Sequence, residues 1–129
     1  MSTGQILLYA LIALILFNYI RKYLNNRKIE HHDASELKSR IKSHNNLLLL
    51  DVRTEPERKK GHIKGSVHIP LNQLRRRQQE LEKFKNKEIV CYCRTGNRSV
   101  NAAVFLQKYG YNASNLKGGI VAWNYQNNK

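Results

Sequence analysis

The residues with the clearest chemical potential form one short segment of this 129-residue chain, Cys93-Arg94-Thr95-Gly96-Asn97-Arg98-Ser99. An apolar run over residues 88–92 precedes the segment and predicts a buried strand, and small and apolar residues at helical spacing after Ser99 predict a helix. Cys93 is therefore expected at the C-terminal end of a strand, facing a helix N-terminus. Free backbone N–H groups and the helix dipole favour anions and thiolates at such a place. The pattern predicts a cysteine nucleophile in an anion-binding cradle.

Activation of this thiol needs more than the helix dipole. An ordinary cysteine is only about one-tenth ionised near pH 7.5. A helix dipole contributes typically about 0.3–1 kcal/mol, which is less than one pKa unit. Converging N–H groups of the loop, helped by Arg94 or Arg98, could lower the pKa further. Gly96 permits the backbone conformation that such a loop needs.

The spacing within the loop separates two classes of cysteine chemistry. Four residues lie between Cys93 and Arg98, whereas a cysteine phosphatase has one residue more in this interval. The tighter ring suits a single sulfur atom better than a tetrahedral phosphate. No aspartate lies close in sequence to protonate a leaving group, although a distant one could approach in the fold.

The remaining cysteine and the histidines offer little further chemistry. Cys91 and Cys93 are two apart on one predicted strand, where an internal disulfide is difficult to form, and free thiols suggest a reducing compartment. Cys91 either fills space in the strand or acts as a redox partner. No metal site is expected, because no recurrent ligand spacing relates the cysteines to the histidines, which are His31, His32, His44, His62 and His68.

The formal net charge is +14. Four of the basic residues flank the apolar N-terminal segment, and the rest of the chain keeps an excess of ten positive charges. No carboxylate side chain occurs after Glu88, so the half with the thiol is expected to be electropositive. This favours anionic substrates or an anionic membrane surface, and a solvated basic surface is the alternative. No nucleic-acid partner is expected, because no recognition motif is present.

Residues 6–20 are almost wholly apolar. Extended to residues 4–23, a helix would span roughly 30 Å, the thickness of the hydrocarbon core. The flanking charges follow the segment, as Arg21 and Lys22, whereas a secretory signal carries them before it. We therefore predict one transmembrane helix that contacts lipid through residues 4–23, within an anchor and basic linker over residues 1–28. The basic residues on its C-terminal side predict a cytoplasmic domain over residues 29–129.

That domain alternates predicted strands and helices, which indicates an α/β fold with a parallel sheet flanked by helices. Leu47–Leu50 predicts a central strand buried on both faces, and Asp51 and Arg53 at its C-terminal end are expected to form an ion pair. Direct contact of this pair with substrate is the alternative. Asp33 predicts an N-cap with a capping box completed by Glu36. Residues 71–84 predict one charged helix.

Four motifs, in order, resemble the rhodanese family of sulfurtransferases over roughly residues 29–123. They are Asp51-Val52-Arg53 with Glu57, Gly61-His62-Ile63-Lys64-Gly65 with Ile69-Pro70, Cys93 to Ser99, and Gly118-Gly119-Ile120 with Trp123. The resemblance implies a rhodanese-like parallel sheet. It also implies that Cys93 carries a persulfide, that the backbone N–H groups of residues 94–99 form the cradle, and that Arg98 closes the loop.

The expected function is therefore transfer of sulfane sulfur from a small anionic donor (thiosulfate, persulfide or polysulfide) through Cys93 to a thiol or cyanide-like acceptor. No cofactor is expected, and the sequence does not identify a protein partner. The alternatives are a non-catalytic sulfide or redox sensor, or a persulfide carrier, at the membrane. Phosphatase or arsenate reductase activity is disfavoured by the loop length. The expected localisation is the cell membrane, with a single pass and the catalytic domain in the cytoplasm.

Overall fold

The computed structural model describes residues 1–27, 29–43 and 46–128. Within these residues the chain forms helices and strands that largely alternate. In chain order they are α1 (Thr3–Arg27), β1 (His31–His32), α2 (Ala34–Lys42), β2 (Leu47–Asp51), α3 (Glu55–Lys60), β3 (Val67–His68), α4 (Leu71–Arg77), a 3₁₀ helix (Gln78–Phe84), β4 (Glu88–Tyr92), α5 (Asn97–Lys108), β5 (Ala113–Leu116) and α6 (Gly119–Asn127).

The strands form one five-stranded sheet in the order β1-β5-β4-β2-β3, and every neighbouring pair is parallel. The predicted parallel α/β fold is therefore confirmed. Because all strands point the same way, their carboxyl ends meet at one edge of the sheet, which we call the C-terminal edge. The register pairs Asp51 of β2 with Tyr92 of β4. The loops that carry Asp51, Arg53 and Cys93 consequently start side by side.

The central strands are buried on both faces because helices cover the sheet on two sides. Ile89 and Cys91 of β4 belong to one core cluster, and Val90 and Tyr92 belong to the other. Alternate residues of a strand point to opposite faces, so a continuous apolar run is what a doubly covered strand requires. This is why the apolar stretches in the sequence predicted β2 and β4 correctly.

The start of α2 differs from the prediction. Asp33 is its N-cap residue, but the Asp33 side chain makes no capping hydrogen bond. The predicted capping box with Glu36 is therefore wrong. The Glu36 carboxylate lies 3.3 Å from Nδ1 of His32 instead. A capping box is found at α3, where Thr54 and Glu57 bond reciprocally.

The predicted helix over residues 71–84 is two helices, because the α-helix ends at Arg77 and a 3₁₀ helix follows. The change occurs at Gln78, whose carbonyl oxygen accepts a hydrogen bond from the Tyr111 hydroxyl at 3.0 Å. Leu74 and Leu81 are both buried, as their spacing predicted. The tighter helix therefore keeps the apolar contacts while its backbone bonds to a neighbouring element.

Helix α1 has apolar side chains exposed along most of its length, and residues 3–24 are long and apolar enough to cross a membrane. A signal sequence, or a helix of a soluble protein, has the same length and composition. Residues 25–27, which the sequence assigned to a linker, continue the helix. Lys28 of the expected linker, His44 and Asn45, which we expected to end α2, and Lys129 at the end of the expected domain lie outside the described residues.

The N-terminus of α6 packs directly against the loop that follows β4. The Ile120 N–H donates to the Cys93 carbonyl at 2.9 Å, and the Val121 N–H donates to the Arg94 carbonyl at 3.2 Å. Gly119 has φ +60°, and a Cβ there would overlap both of these carbonyl groups. Only glycine allows this close approach.

Substitution of Gly119 by alanine should therefore move α6 away from the loop. We expect Gly119→Ala to lower the free energy of unfolding by more than about 2 kcal/mol, because steric overlap adds to the cost of a left-handed backbone. Gly110→Ala is the matched control, since Gly110 has φ +85° but open space at its Cβ position; it should cost only about 1–2 kcal/mol. Chemical denaturation of both variants measures the difference, and equal losses would contradict the packing argument.

Candidate active site

Cys93 is the first residue after β4 and lies at the C-terminal edge of the sheet, as the sequence predicted. Residues 93–96 turn the chain into α5, which begins at Asn97. Gly96 is the N-cap of α5 and has φ +118°, a conformation that favours glycine. The side chain of Cys93 is almost completely buried. The tight turn brings the thiol back over the first residues of α5.

Hydrogen-bond donors of the loop converge on the Cys93 sulfur. The Gly96 N–H donates to Sγ at 3.0 Å, and the Ser99 hydroxyl lies 3.3 Å from Sγ. The backbone N–H groups of Thr95 and Ser99 also interact with the sulfur. These donors form the cradle that the sequence predicted for residues 94–99, and three of those residues supply it.

The acidity of Cys93 follows from two opposing effects. Burial raises the pKa of the thiol, because a thiolate loses hydration in the protein interior. Hydrogen bonds from the Ser99 side chain and from the N–H groups of Ser99, Gly96 and Thr95 favour the thiolate, and together they leave the pKa of Cys93 below its ordinary value. The ionised thiol is thus stabilised mainly by neutral donors of the loop.

Neither arginine of the loop hydrogen-bonds to the sulfur, although Arg98 interacts with Cys93 electrostatically. The Arg98 guanidinium makes a bidentate pair with Glu57 of α3, at 2.7 and 2.8 Å, and Arg94 is exposed. Although no carboxylate occurs in the sequence after residue 88, the fold brings Glu57 to the loop, so the site is not purely electropositive. The Arg98 charge fastens α5 to α3 and so holds the loop. Thr95 and Asn97 are the other exposed residues of the loop, and Asn97 begins α5.

Asp51 and Arg53 form the predicted ion pair. The Asp51 carboxylate is fully buried and accepts from Arg53 through N, Nε and Nη2 at 2.9–3.0 Å. Burial raises the pKa of Asp51, but the bonds from Arg53 outweigh it and the pKa lies below the ordinary value. The Tyr92 hydroxyl also donates to Asp51 at 3.0 Å. This network orders the loops beside Cys93.

Asn115 is a site residue that the sequence interpretation missed. It lies in β5, is buried, and accepts a hydrogen bond from the Ser99 hydroxyl at 2.6 Å. Its side-chain nitrogen lies 3.0 Å from Nδ1 of His31. The available signal was a polar residue inside a short strand that is otherwise buried, because buried amides require partners.

Cys91 differs from Cys93 in the direction in which its thiol pKa is shifted. It is fully buried in the core. Burial, together with the charge of a Cys93 thiolate, raises the pKa of the Cys91 thiol far above the ordinary range. A buried apolar thiol of this kind is inert, which favours the space-filling alternative for Cys91.

Another polar cluster lies where β4 begins. Glu30, His32 and Glu88 approach one another closely enough to hold a metal ion. Glu88 is already bonded to His32 at 2.6 Å, to Arg40 at 2.7 Å and to Ser114 at 2.7 Å. Burial opposes ionisation of Glu88, but these bonds bring its pKa down to about 2. The carboxylate therefore joins α2, β4 and β5, and the expectation of no metal stays a prediction.

Known proteins share this fold. Residues 33–126 match the family model described as a rhodanese-like domain. A sulfurtransferase from Allochromatium vinosum is 36% identical over 92 residues, which are 70% of this chain and 84% of that protein. A rhodanese-related protein from Thermoplasma volcanium superposes with a TM-score of 0.68 at 34% identity, covering 75% of this chain and 92% of that one. A rhodanese-like domain protein from Staphylococcus aureus gives 0.66 at 29% identity, over 74% and 91% of the two chains.

The pairing of Arg98 with Glu57 makes stability depend on pH. The hydrogen bonds from Arg98 come first among the causes that lower the pKa of Glu57 from 4.5 to about 2. Because the folded pKa is the lower one, the contribution is complete above pH 4.5 and is lost as the pH falls toward 2. We expect Glu57→Gln to reduce the free energy of unfolding by about 1 kcal/mol at neutral pH, since the pair is partly exposed but bidentate.

Urea denaturation at several pH values measures this effect, with Glu55→Gln as the matched control. Glu55 is 67% exposed, and its carboxylate lies 3.6 Å from Nδ1 of His68. Its substitution should have less than about half the effect at neutral pH. A Glu57→Gln defect that stays constant down to pH 2 would show that the ion pair is not its cause.

Proposed function

Because this chain belongs to the rhodanese-like domain family, we propose that it is a sulfurtransferase in which Cys93 carries sulfane sulfur as a persulfide. The family supports sulfur transfer in general terms, since the Allochromatium vinosum relative is named a sulfurtransferase. The donor that we propose is thiosulfate, a persulfide or a polysulfide, and the acceptor is a thiol or a cyanide-like nucleophile. The observation that carries the proposal is the set of donors around the Cys93 sulfur, with Gly96 N–H at 3.0 Å and Ser99 Oγ at 3.3 Å.

The reaction has two steps that regenerate the enzyme. In the first, the Cys93 thiolate attacks the outer sulfur of the donor, a new S–S bond forms, and the bond within the donor breaks. The electron pair leaves with the remainder of the donor, which is sulfite when the donor is thiosulfate. In the second, the acceptor attacks the outer sulfur of the persulfide, and Cys93 departs as a thiolate. A lowered thiol pKa assists both steps, because the thiolate is nucleophile and then leaving group.

The residues of the loop take distinct roles in this proposal. Thr95, Gly96 and Ser99 stabilise the negative sulfur through their N–H groups, and the exposed Arg94 and Asn97 line the entrance. Arg98 keeps the loop closed through Glu57. Asp51 and Arg53 support the adjacent loop through their ion pair. No prosthetic group takes part, since thiolate exchange requires none.

We further propose that α1 anchors the enzyme in the cell membrane, with the domain of residues 29–129 in the cytoplasm. Support comes from the length and the exposed apolar surface of residues 3–24. Arg21 and Lys22, near the C-terminal end of this segment, favour an orientation with the domain on the cytoplasmic side. A reducing cytoplasm would also keep Cys93 in the thiol form that the reaction needs.

Sulfur transfer is tested by incubating the full chain with thiosulfate and measuring its intact mass. We expect a gain of one sulfur atom that is lost on addition of cyanide, with thiocyanate formed over many turnovers. Cys93→Ser should abolish both the gain and the turnover. Cys91→Ser is the matched control and should retain most of the activity, because the Cys91 thiol is buried and unreactive.

The thiosulfate experiment, together with a phosphate-ester assay, separates the alternative functions. A persulfide that forms on Cys93 but does not turn over would favour a sensor or carrier. Absence of the added sulfur in the unmodified protein, or equal sulfur addition in Cys93→Ser, would overturn the proposal. Hydrolysis of a phosphate ester that depends on Cys93 would favour a phosphatase.

Membrane anchoring is tested by flotation of the full chain with neutral phosphatidylcholine vesicles. We expect the protein to float and to remain bound in carbonate at high pH, because an inserted apolar helix is held by the hydrocarbon core rather than by charge. A variant in which Leu11 and Leu14 are replaced by aspartate should remain in the soluble fraction. A protein that stays soluble without substitution would exclude the anchor.

A further inference from the structure

The Ser99 hydroxyl has a single proton, and three acceptors compete for it. Its oxygen lies 3.3 Å from Cys93 Sγ, 3.1 Å from the Gly96 carbonyl and 2.6 Å from Asn115 Oδ1. Ser99 and Asn115 are both buried, so water cannot readily replace a missing partner. Which acceptor receives the proton depends on the state of the sulfur and on the orientation of the Asn115 amide.

One complete hydrogen-bond pattern suits the neutral thiol. The Cys93 S–H donates to Ser99 Oγ, and the Ser99 hydroxyl donates to Asn115 Oδ1 over the short 2.6 Å separation. The amide nitrogen of Asn115 then donates to Nδ1 of His31 at 3.0 Å. In this pattern the His31 ring carries its proton on Nε2. Every buried polar atom has a partner, but the Ser99 proton points away from the sulfur.

A different complete pattern suits the thiolate. A thiolate only accepts hydrogen bonds, so the Ser99 hydroxyl must turn toward Sγ and leave Asn115 Oδ1 without its donor. A half-turn of the amide restores the balance, because its nitrogen then donates to Ser99 Oγ and its oxygen accepts from His31 Nδ1. The His31 ring can supply that donor by moving its proton from Nε2 to Nδ1, since His31 is exposed to water.

We propose that Asn115 is a positioning residue that sets the direction of the Ser99 hydroxyl, with His31 as the anchor of its amide. The two orientations of the amide correspond to the thiol and the thiolate of Cys93. This inference rests on the proposed function in so far as that function uses the Cys93 thiolate. In this proposal Asn115 does not bind the sulfur donor or hydrogen-bond to the Cys93 sulfur, and it acts only through Ser99.

The surroundings make His31 the natural anchor for this exchange. Within the part of the chain that the structure describes, His31 is the one titratable side chain that hydrogen-bonds to Asn115. The other charged groups that the structure describes around Cys93 do not bond to Asn115 or Ser99. Arg98 is paired with Glu57 and acts on Cys93 only electrostatically, Asp51 is paired with Arg53, and Arg94 is exposed. Cys91 of β4 stays neutral because burial raises the pKa of its thiol.

A double-mutant cycle tests the coupling between Asn115 and Ser99. Asn115→Asp replaces the amide by two acceptor oxygens, and His31 beside one of them favours the ionised form. The Ser99 proton is then held on residue 115 and withheld from the sulfur. We expect the pH midpoint of Cys93 ionisation to rise by about one unit, so that the thiolate fraction below the midpoint falls about tenfold.

The same substitution in a Ser99→Ala protein separates this mechanism from electrostatic repulsion between the new carboxylate and the Cys93 thiolate. In Ser99→Ala, residue 115 has no hydroxyl to direct, and Asn115→Asp should shift the midpoint by less than half as much. An equal shift in both backgrounds would mean that the added charge alone acts, and the inference would be overturned. The ultraviolet absorbance of the thiolate, with Cys93→Ser as the blank, reports the midpoint in the full chain in detergent. Asn112→Asp, at an exposed residue of the same type, should leave it unchanged.

A second measurement keeps the inference testable if a buried substitution prevents folding. In the unsubstituted chain labelled with ¹⁵N at histidine, the ring nitrogens of His31 should change tautomer as Cys93 ionises. In Cys93→Ser this change of tautomer should be absent. Identical His31 titrations in the two proteins would overturn the inference.

Neither readout requires sulfur transfer, so the two proposals can fail separately. Coupling without persulfide formation would leave Asn115 as a positioning residue and remove the proposed function. Normal sulfur transfer with equal shifts in both backgrounds would retain the function and remove the role of Asn115.

Discussion

The structure depends on the direction in which the peptide groups of the loop after β4 face. The carbonyls of Cys93 and Arg94 point toward α6 and are bound by its first N–H groups. The Thr95 N–H, which shares a peptide unit with the Arg94 carbonyl, consequently points the opposite way, to the sulfur, where the N–H groups of Gly96 and Ser99 also lie. A loop of this length cannot direct its N–H groups to one atom unless its carbonyls find donors elsewhere. The glycine at position 119, some twenty residues after the loop, is therefore as much a part of the thiol's environment as the loop itself.

The electrostatics of the site contrast with those of the whole chain. The net charge of +14 suggests attraction of anions by lysine and arginine, but the cationic group of Arg98 is neutralised by Glu57. Close stabilisation of negative charge comes from backbone dipoles and one hydroxyl. Such donors are fixed in direction and uncharged, so they favour a compact anionic sulfur at one position without holding every anion tightly. The basic surface can still raise the local concentration of an anionic donor.

Sequence reasoning succeeded where one local pattern determined the outcome. Apolar runs predicted β2 and β4, and the position of Cys93 between a strand and a helix predicted the hydrogen-bonded thiol. The ion pair of Asp51 with Arg53 could be predicted because the two residues are separated by a single residue at the end of β2. Reasoning failed where a partner outside the local motif decided. The Glu36 carboxylate lies beside His32 instead of completing a capping box, and the Gln78 carbonyl accepts a hydrogen bond from the Tyr111 hydroxyl, 33 residues away. Asn115 was missed for the same reason, because its partners come from α5 and β1.

The direction of the parallel sheet separates the residues that follow α1 from the Cys93 thiol. Glu30, which follows shortly after α1, lies beside Glu88 at the first residue of β4, whereas Cys93 follows its last residue. Five strand residues at about 3.3 Å each place roughly 16 Å between these levels. If α1 is inserted in a bilayer, the chain enters the domain near the edge of the sheet opposite the Cys93 thiol. Membrane attachment would then restrict the domain to diffusion along the membrane, while the loop that holds the thiol starts from the opposite edge of the sheet.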